Sequence, residues 1–380
     1  MPVPALYSSI FGDMVKKVML TFDEATKNEV ALFSKPFFYE RFTWDVPTVG
    51  LNFSEIINKY HIVFAASVIS EDGDSPMRSS RGFEMLESKV CQLSHTYPMP
   101  ISDYRKIVEM LDSRLTSRNP RTRDMALKKM EELMFSGPQE AVEGVEAQID
   151  NLILNALSNE GHLKLDGRNN PEGISLDLDY KMPDKNKFAV NKFKWTPENI
   201  ETIDAWEDVE QVLEAADGVS DIKEILASTD KINFLLRCRK IRQMVFGSDK
   251  SSDILTLAKL NAYLDENDKP KFTKINRKIA IQKDGEEQVI RPWNPDNLAF
   301  IPSGKMGIIK SAYSDEEIKP SPDVANSYYN RIQVSQYSEG KAQGKKSKEY
   351  TEGSCLCLPV FTAIKGCYSL DTQTVSPDEV

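Results

Sequence analysis

The longest run of helical periodicity in this chain extends from Ser102 to Gly161 and constrains the fold more than any other feature. We predict three helical pieces here. The second starts at Asn119–Pro120, where a capping residue precedes a proline at the first helical position, and the third starts at Pro138. Gly161 supplies a left-handed stop. The third piece, roughly 33 Å long, needs a partner surface along its apolar stripe. That stripe contains Ala141, Val142, Val145, Ile149, Leu152, Ile153, Ala156 and Leu157.

Charged residues form two groups within this helical region. The acidic residues Glu140, Glu143, Glu146 and Asp150 are predicted to lie opposite the apolar stripe. The start of the region is basic, with Arg114, Arg118, Arg121 and Arg123. Two interpretations remain open: a solvated helix surface, or unlike charged ends that meet between subunits.

Composition limits the class of protein. A chain of 380 residues suggests about two or three structural units. The net charge of -10 argues against a general nucleic-acid-binding surface, because contact with phosphates needs clustered lysine and arginine. It allows a surface that lies near DNA without gripping it. No signal peptide and no membrane-spanning run is found, and five cysteines without a framework spacing fit a reducing compartment.

The segments before the long helical region predict extensions rather than a core. Residues 1–58 are rich in aromatic side chains without a period, so they are expected to lie along another surface, of the same subunit or of a neighbour. Residues 59–98 form a long excursion whose polar tip contains Asp72–Gly73, a turn signal. An excursion of that size would be more useful if it reached over another molecule.

The segments after it predict strands and a second unit. Ile174–Tyr180 alternates apolar and polar residues and is expected to pair with the strand of Leu163 and Leu165. The second unit combines three helices with a hairpin turn at Asp284–Gly285, which makes it a compact α+β domain. Its helices are predicted at Ile203–Ala216 with a stop at Gly218, at about Asp230–Phe246, and at Asp253–Leu264. A C-terminal hairpin carries the lysine-rich loop Gly340–Lys348, which is either a solvated tip or a contact with a subunit or acidic partner.

No pattern of catalytic, cofactor-binding or metal-ligating residues emerges. The three histidines His61, His95 and His162 lie in different segments. Cys355 and Cys357 are separated by one residue rather than the two of a zinc or redox motif, so core cysteines are predicted. Residues 303–306 (SGKM) lack the glycine spacing and the hydroxyl residue of a phosphate loop, so a turn between strands is predicted.

Two segments resemble a known family. Residues 291–307 (RPWNPDNLAFIPSGKMG) resemble the strand and turn near the end of the second domain in lambda-type major capsid proteins, the capsid protein E family of tailed phages. Residues 350–354 (YTEGS), 358–361 (LPVF) and 368–371 (YSLD) are similar to the closing strands of that family. The stretch Arg78–Gly82 loosely resembles the basic, glycine-containing part of the family's extended loop.

The resemblance implies an α+β fold, the Hong Kong 97-type major capsid protein fold. Its parts would be an N-terminal arm (1–58), an extended loop (59–99), a peripheral domain with a spine helix (100–195 and 312–380) and an axial domain (196–311). Candidate residues at assembly interfaces are Asp72, Gly73, Arg78, Arg81, Lys345 and Lys346.

The implied function is structural rather than enzymatic. Copies of the chain would assemble as hexamers and pentamers into an icosahedral phage head that encloses double-stranded DNA without sequence-specific binding. Because no extra segment precedes the arm, a separate scaffolding protein is expected, together with a portal and a decoration protein, and assembly in the host cytoplasm. Two alternatives stay open: the shell protein of a bacterial protein compartment, which has the same fold, and a cytosolic enzyme with a ligand domain at 196–311.

Overall fold

The computed structural model describes residues 36–57, 85–99, 106, 109, 119–171, 173–247, 253–322, 324–339 and 348–376. In chain order its principal helices are α1 (Pro120–Ser158), α2 (Ala205–Ala216), α3 (Thr229–Arg237), α4 (Arg239–Phe246) and α5 (Leu257–Glu266). Its strands are β1 (Phe42–Trp44), β2 (Asn52–Ile56), β3 (Met85–Lys89), β4 (Cys91–Met99), β5 (His162–Leu165), β6 (Leu176–Asp179), β7 (Lys187–Val190), β8 (Ile222–Ser228), β9 (Lys271–Ile275), β10 (Ile279–Lys283), β11 (Glu286–Ile290), β12 (Asn297–Pro302), β13 (Gly307–Ser311), β14 (Ala325–Tyr329), β15 (Ile332–Glu339), β16 (Lys348–Val360) and β17 (Tyr368–Val375).

Helix α1 is a single helix of 39 residues, about 58 Å long. Its predicted start is confirmed, because the Asn119 side chain accepts a hydrogen bond from the backbone N–H of Arg121 at 3.0 Å. The predicted stop is confirmed too: Gly161 has φ +81° and its N–H donates to the carbonyl of Ala156. The predicted break at Gly137–Pro138 is wrong. A proline inside a helix removes one backbone hydrogen bond, yet α1 continues through it.

A six-stranded sheet covers the apolar stripe of α1. Its order is β1-β13-β16-β15-β14, with β4 pairing to β16, and only β1 and β13 run parallel. Every residue of the predicted stripe is buried. Strand β16 approaches the helix so closely that a Cβ at Gly353 would overlap the Ala141 carbonyl, while Gly144 of α1 leaves room for the His95 ring. From the sequence we expect the strand Ile174–Tyr180 and the C-terminal hairpin to cover this stripe. The hairpin of β15 and β16 does so, together with β4 and β5, and Tyr180 is buried in the same core.

A second sheet has the order β7-β17-β12-β8-β9 and packs with α2 to α5 around a separate core. The predicted helix ending before Gly218 is confirmed, since α2 ends at Ala216 and Gly218 has φ +68°. The single helix predicted at about Asp230–Phe246 is instead two helices, α3 and α4, separated by the buried Cys238, whose ψ of 127° is not helical. The third predicted helix starts later, at Leu257, after the capping residue Thr256.

Three two-stranded hairpins complete the described fold. The predicted pairing of the Leu163 and Leu165 strand is confirmed in β5–β6, although the exposed Ile174 lies before β6. The predicted turn at Asp284–Gly285 joins β10 to β11, and both residues have positive φ, as a tight hairpin turn requires. The third hairpin pairs β2 with β3. Among the residues that the structure describes, no helix combines the length and the apolar character that crossing a membrane requires.

Candidate functional site

The six predicted interface residues lie outside the described residues. Asp72, Gly73, Arg78 and Arg81 belong to residues 58–84, and Lys345 and Lys346 belong to residues 340–347. The strands that flank each segment are nevertheless described. Ile56 of β2 pairs with Met85 of β3, and Glu339 of β15 pairs with Lys348 of β16. Each segment is therefore flanked by two strands that pair with each other.

The structure brings other polar residues together where residues 36–44 meet α1. The Asp150 carboxylate accepts hydrogen bonds from the backbone N–H groups of Phe37 at 3.0 Å and Phe38 at 3.2 Å. The Arg277 Nε lies 3.2 Å from the same carboxylate. One turn earlier on the helix, Glu146 accepts a hydrogen bond from the Tyr39 hydroxyl. We call Tyr39, Glu146, Asp150 and Arg277 the arm anchor.

These contacts correct the sequence-based view of the acidic residues. Glu146 is 2% exposed and Asp150 is fully buried, so the prediction that they lie on a face opposite the apolar stripe is wrong for both. Glu140 is exposed and Glu143 half-buried, which agrees better with the prediction. One signal was present in the sequence: Asp150 follows the apolar Ile149 and stands two residues before Leu152.

Burial sets the protonation of the arm anchor. The pKa of Glu146 is raised to about 7: burial is the main cause, the Asp150 and Glu143 carboxylates act in the same direction, and the Tyr39 hydrogen bond and Arg277 oppose them. Burial also raises the pKa of Asp150 to about 6, although Arg277 and the two backbone N–H groups lower it. The pKa of the Tyr39 hydroxyl rises through burial and the charge of Glu146. The charges of Glu146 and Asp150 in the arm anchor therefore change with pH near neutrality.

A second group of contacts links the same segment to the turn between β12 and β13. The Arg41 guanidinium binds both oxygens of Glu224 on β8, at 2.9 and 2.8 Å. The backbone N–H of Met306 donates to the Arg41 carbonyl at 2.8 Å, and Lys305 Nζ donates to the Tyr39 carbonyl at 3.2 Å. The predicted turn at residues 303–306 is confirmed, and it donates hydrogen bonds to backbone carbonyls of residues 39–41.

Two ion pairs connect residues 45–55 of the same segment to β13. Lys310 of β13 lies 2.5 Å from Asp45 and 2.6 Å from Glu55, so one ammonium bridges the residues after β1 and within β2. Strand β1 pairs in parallel with β13, placing Phe42 opposite Gly307. The sequence left open whether the arm lies on its own subunit or on a neighbour. Residues 36–57 lie on their own subunit.

The arrangement is suited to holding polypeptide segments together rather than to chemistry. No group of three or more histidine, cysteine or acidic residues within the described part of the chain could hold a metal ion. Cys355 and Cys357 are buried core residues, as predicted, and the neighbouring Cys355 together with burial raises the pKa of Cys357. His95 contacts the Ala141 carbonyl and His162 contacts Asp177, in different parts of the fold.

Comparisons with known proteins give a match at the level of structure only. The sequence matches no protein-family model, and no curated protein matches it. Among solved structures, a proposed capsid protein of a prophage of E. coli CFT073 matches with a TM-score of 0.55 at 16% identity, over 90% of this chain and 93% of that chain.

Two further structures match more weakly. The capsid of Myoviridae phage XM1 gives a TM-score of 0.43 at 10% identity, over 90% of this chain and 94% of that chain. A virus-like particle from Pyrococcus furiosus gives 0.42 at 10% identity, over 94% and 98%. Of these three, only the prophage protein exceeds a TM-score of 0.5, so the fold is inferred from that match. The predicted α+β capsid-protein fold is confirmed.

Proposed function

We propose that this chain is the major capsid protein of a tailed phage. Many copies would form hexamers and pentamers that close into an icosahedral head around double-stranded DNA. One observation carries the proposal: the match to the prophage capsid protein extends over 90% of this chain and 93% of the other, with a TM-score of 0.55. A protein compartment of bacterial origin is not favoured, because that match is to a phage protein.

The four-part Hong Kong 97-type division remains part of the proposal. Residues 1–58 would be the arm and 59–99 the extended loop. Strands β2 and β3, which flank residues 58–84, pair with each other and are compatible with such a loop between them. Residues 100–195 and 312–380 would be the peripheral domain, with α1 as its spine. Residues 196–311 would be the axial domain, whose sheet is completed by β7 and β17.

The extended loop would lie on a neighbouring subunit, with Asp72 and Gly73 at its tip and Arg78 and Arg81 on its returning part. The loop with Lys345 and Lys346, at the end of the β15–β16 hairpin, is the second proposed contact between subunits. The length of residues 59–98 supports the first position, and the four lysines of residues 340–348 support a contact with acidic groups at the second.

The net charge of -10 agrees with a container wall. A wall that bound phosphates tightly would hinder both packaging and release of DNA, so sequence-specific or strong DNA binding is not expected. The expected partners are a separate scaffolding protein, a portal and a decoration protein. The mature location would be the virion capsid, after assembly in the host cytoplasm.

The test is to purify the full chain, alone and with its scaffolding partner, and to examine both samples by negative-stain electron microscopy. Rings, sheets or closed shells are expected in at least one sample. A protein that stays monomeric in both would contradict the proposal. Closed particles that protect DNA from nuclease would separate a phage head from a protein compartment.

A further inference from the structure

Two helices of the axial domain end at one acidic cleft of about 640 Å³. Neither α2 nor α5 has a basic residue in its last turn. The carboxyl end of a helix carries partial negative charge, so cations are stabilising there. Five carboxylates line the cleft and add to this charge: Glu210, Glu214, Asp217, Asp221 and Asp268. Helix ends and side chains thus both favour a cationic occupant.

Neutralisation of the cleft within its own subunit is incomplete. Lys269 is the cation that lines it, and its ammonium lies 3.9 Å from Glu210. Lys223 lies 3.1 Å from Asp221, in a pair where both side chains are largely exposed. Glu214 and Asp217 are exposed and form no ion pair with any residue that the structure describes. They remain available to cations of another molecule.

Helix α4 shows the opposite imbalance. It begins with Arg239 and Lys240, has no acidic residue in its first turn, and receives no side-chain cap from Cys238. Positive side chains at the amino end of a helix add to the positive end of its dipole, so an anionic partner is favourable there. Lys240 lies 4.0 Å from Asp204. The exposed Arg237 and Arg239 form no ion pair within the described part of the chain.

An apolar side chain stands beside these arginines. Ile254 is 83% exposed, the largest exposed fraction among the large hydrophobic side chains described. It lines a groove of about 530 Å³ together with Leu236, Arg237 and Arg242, and the carboxylate of Asp253 lies in the same groove. An exposed aliphatic residue with charged residues around it is typical of a protein contact.

The two surfaces lie at opposite ends of the axial domain. The Arg239 N–H donates to the Ile200 carbonyl, and Lys240 pairs with Asp204, the N-cap of α2. The acidic cleft lies at the other end of α2, about 18 Å away along 12 residues. Strand β8 likewise starts in the cleft at Ile222 and leads through α3 to Arg237.

We propose that the axial domain docks head to tail on a second copy of this chain, with Arg237, Arg239 and Ile254 of one copy meeting the acidic cleft of the next. Contacts between unlike surfaces at opposite ends generate rings when the rotation closes. The inference rests on the proposed function and adds to it the chemistry of one contact within a ring: guanidinium groups on carboxylates at the carboxyl ends of two helices.

The test uses charge reversal in the full chain. One variant carries Arg237→Glu and Arg239→Glu, a second carries Glu214→Lys and Asp217→Lys, and a third carries all four changes. Each two-residue variant should lose assembly at least about tenfold, because like charges then face each other. The third variant should recover it. An equimolar mixture of the first two should form six-membered rings, in which the two variants can alternate.

A matched control reverses two exposed cations elsewhere, Lys164→Glu and Arg168→Glu in and after β5, and should assemble as the unchanged protein does. Thermal unfolding of every variant checks the fold. If the unchanged protein assembles and both two-residue variants assemble equally well, or if the four-residue variant does not recover, the inference is overturned while the proposed function stands. If the unchanged protein never assembles, the proposed function itself fails.

Discussion

Asp150 and Glu146 are buried where residues 37–39 contact α1, and each carboxylate has different hydrogen-bond donors. The Asp150 carboxylate accepts hydrogen bonds from two backbone N–H groups and forms an ion pair with Arg277. The Glu146 carboxylate accepts a hydrogen bond from the Tyr39 hydroxyl. Both pKa values are raised above their ordinary range. The folded protein therefore binds more protons here than the unfolded chain, and the resulting stability is present at low pH and lost as pH rises.

The first prediction is that Glu146→Gln stabilises the protein at pH 8 and has little effect at pH 5. The amide cannot ionise, so it avoids the cost of a buried charge above the folded pKa of about 7. That cost is on the order of 3 kcal/mol at alkaline pH. Chemical denaturation at both pH values measures it, with the exposed Glu140→Gln as control. Equal effects at the two pH values would contradict the assignment.

The second prediction concerns the approach of β16 to α1. Gly353→Ala should destabilise the protein by roughly 1–3 kcal/mol, because the new Cβ would overlap the Ala141 backbone, which cannot rotate away. Gly167→Ala is the matched control, since nothing lies within 4 Å of its Cβ position. Urea denaturation compares the two variants. The idea would fail if both variants unfolded at the same urea concentration.

Single residues were predictable where a period or a turn dictates them. The apolar stripe of α1 and the left-handed Gly161, Gly218 and Asp284–Gly285 all follow from local rules, and the structure has them as predicted. The burial of Glu146 and Asp150 was not predictable in this way. It depends on Phe37, Tyr39 and Arg277, which lie more than 100 residues away in sequence.

The sequence predicted which segments are helices more accurately than it predicted where each helix begins and ends. Proline at position 138 is a helix breaker by local propensity, and it predicts an end that the tertiary structure does not have. The reverse error occurs at Cys238, where no glycine or proline marks the break between α3 and α4. Cys238 there has a non-helical backbone conformation, and its side chain is completely buried.

The third prediction is that deletion of Glu71–Asp74 leaves the monomer folded and weakens assembly. We propose that this tip contacts a neighbouring subunit, and the β2–β3 pair at the base of the excursion does not include it. Sedimentation velocity measures the assembled fraction, while circular dichroism and thermal unfolding report on the monomer. Unchanged assembly of the deletion variant would remove the tip from the interface.

The pairing of distant strands decides the shape of the whole molecule. Strand β4 pairs with β16 although more than 250 residues separate them, as in the pair Cys91 and Cys357. Strand β17 pairs with β7 and β12 in the second sheet after the chain has completed every strand of the first. Local periodicity contains no information on such pairings. The resemblance in residues 291–307 and 350–371 supplied the expected fold class, which periodicity could not.

The most direct measurement of the central claim is a cryo-electron microscopy reconstruction of particles assembled from the full chain. We expect closed shells in which the chain occupies rings of five and six copies, with the long rod of α1 visible in every subunit. The axial domains should meet around each ring centre. Particles without closed symmetry, or a protein that remains monomeric with its scaffolding partner present, would contradict the account.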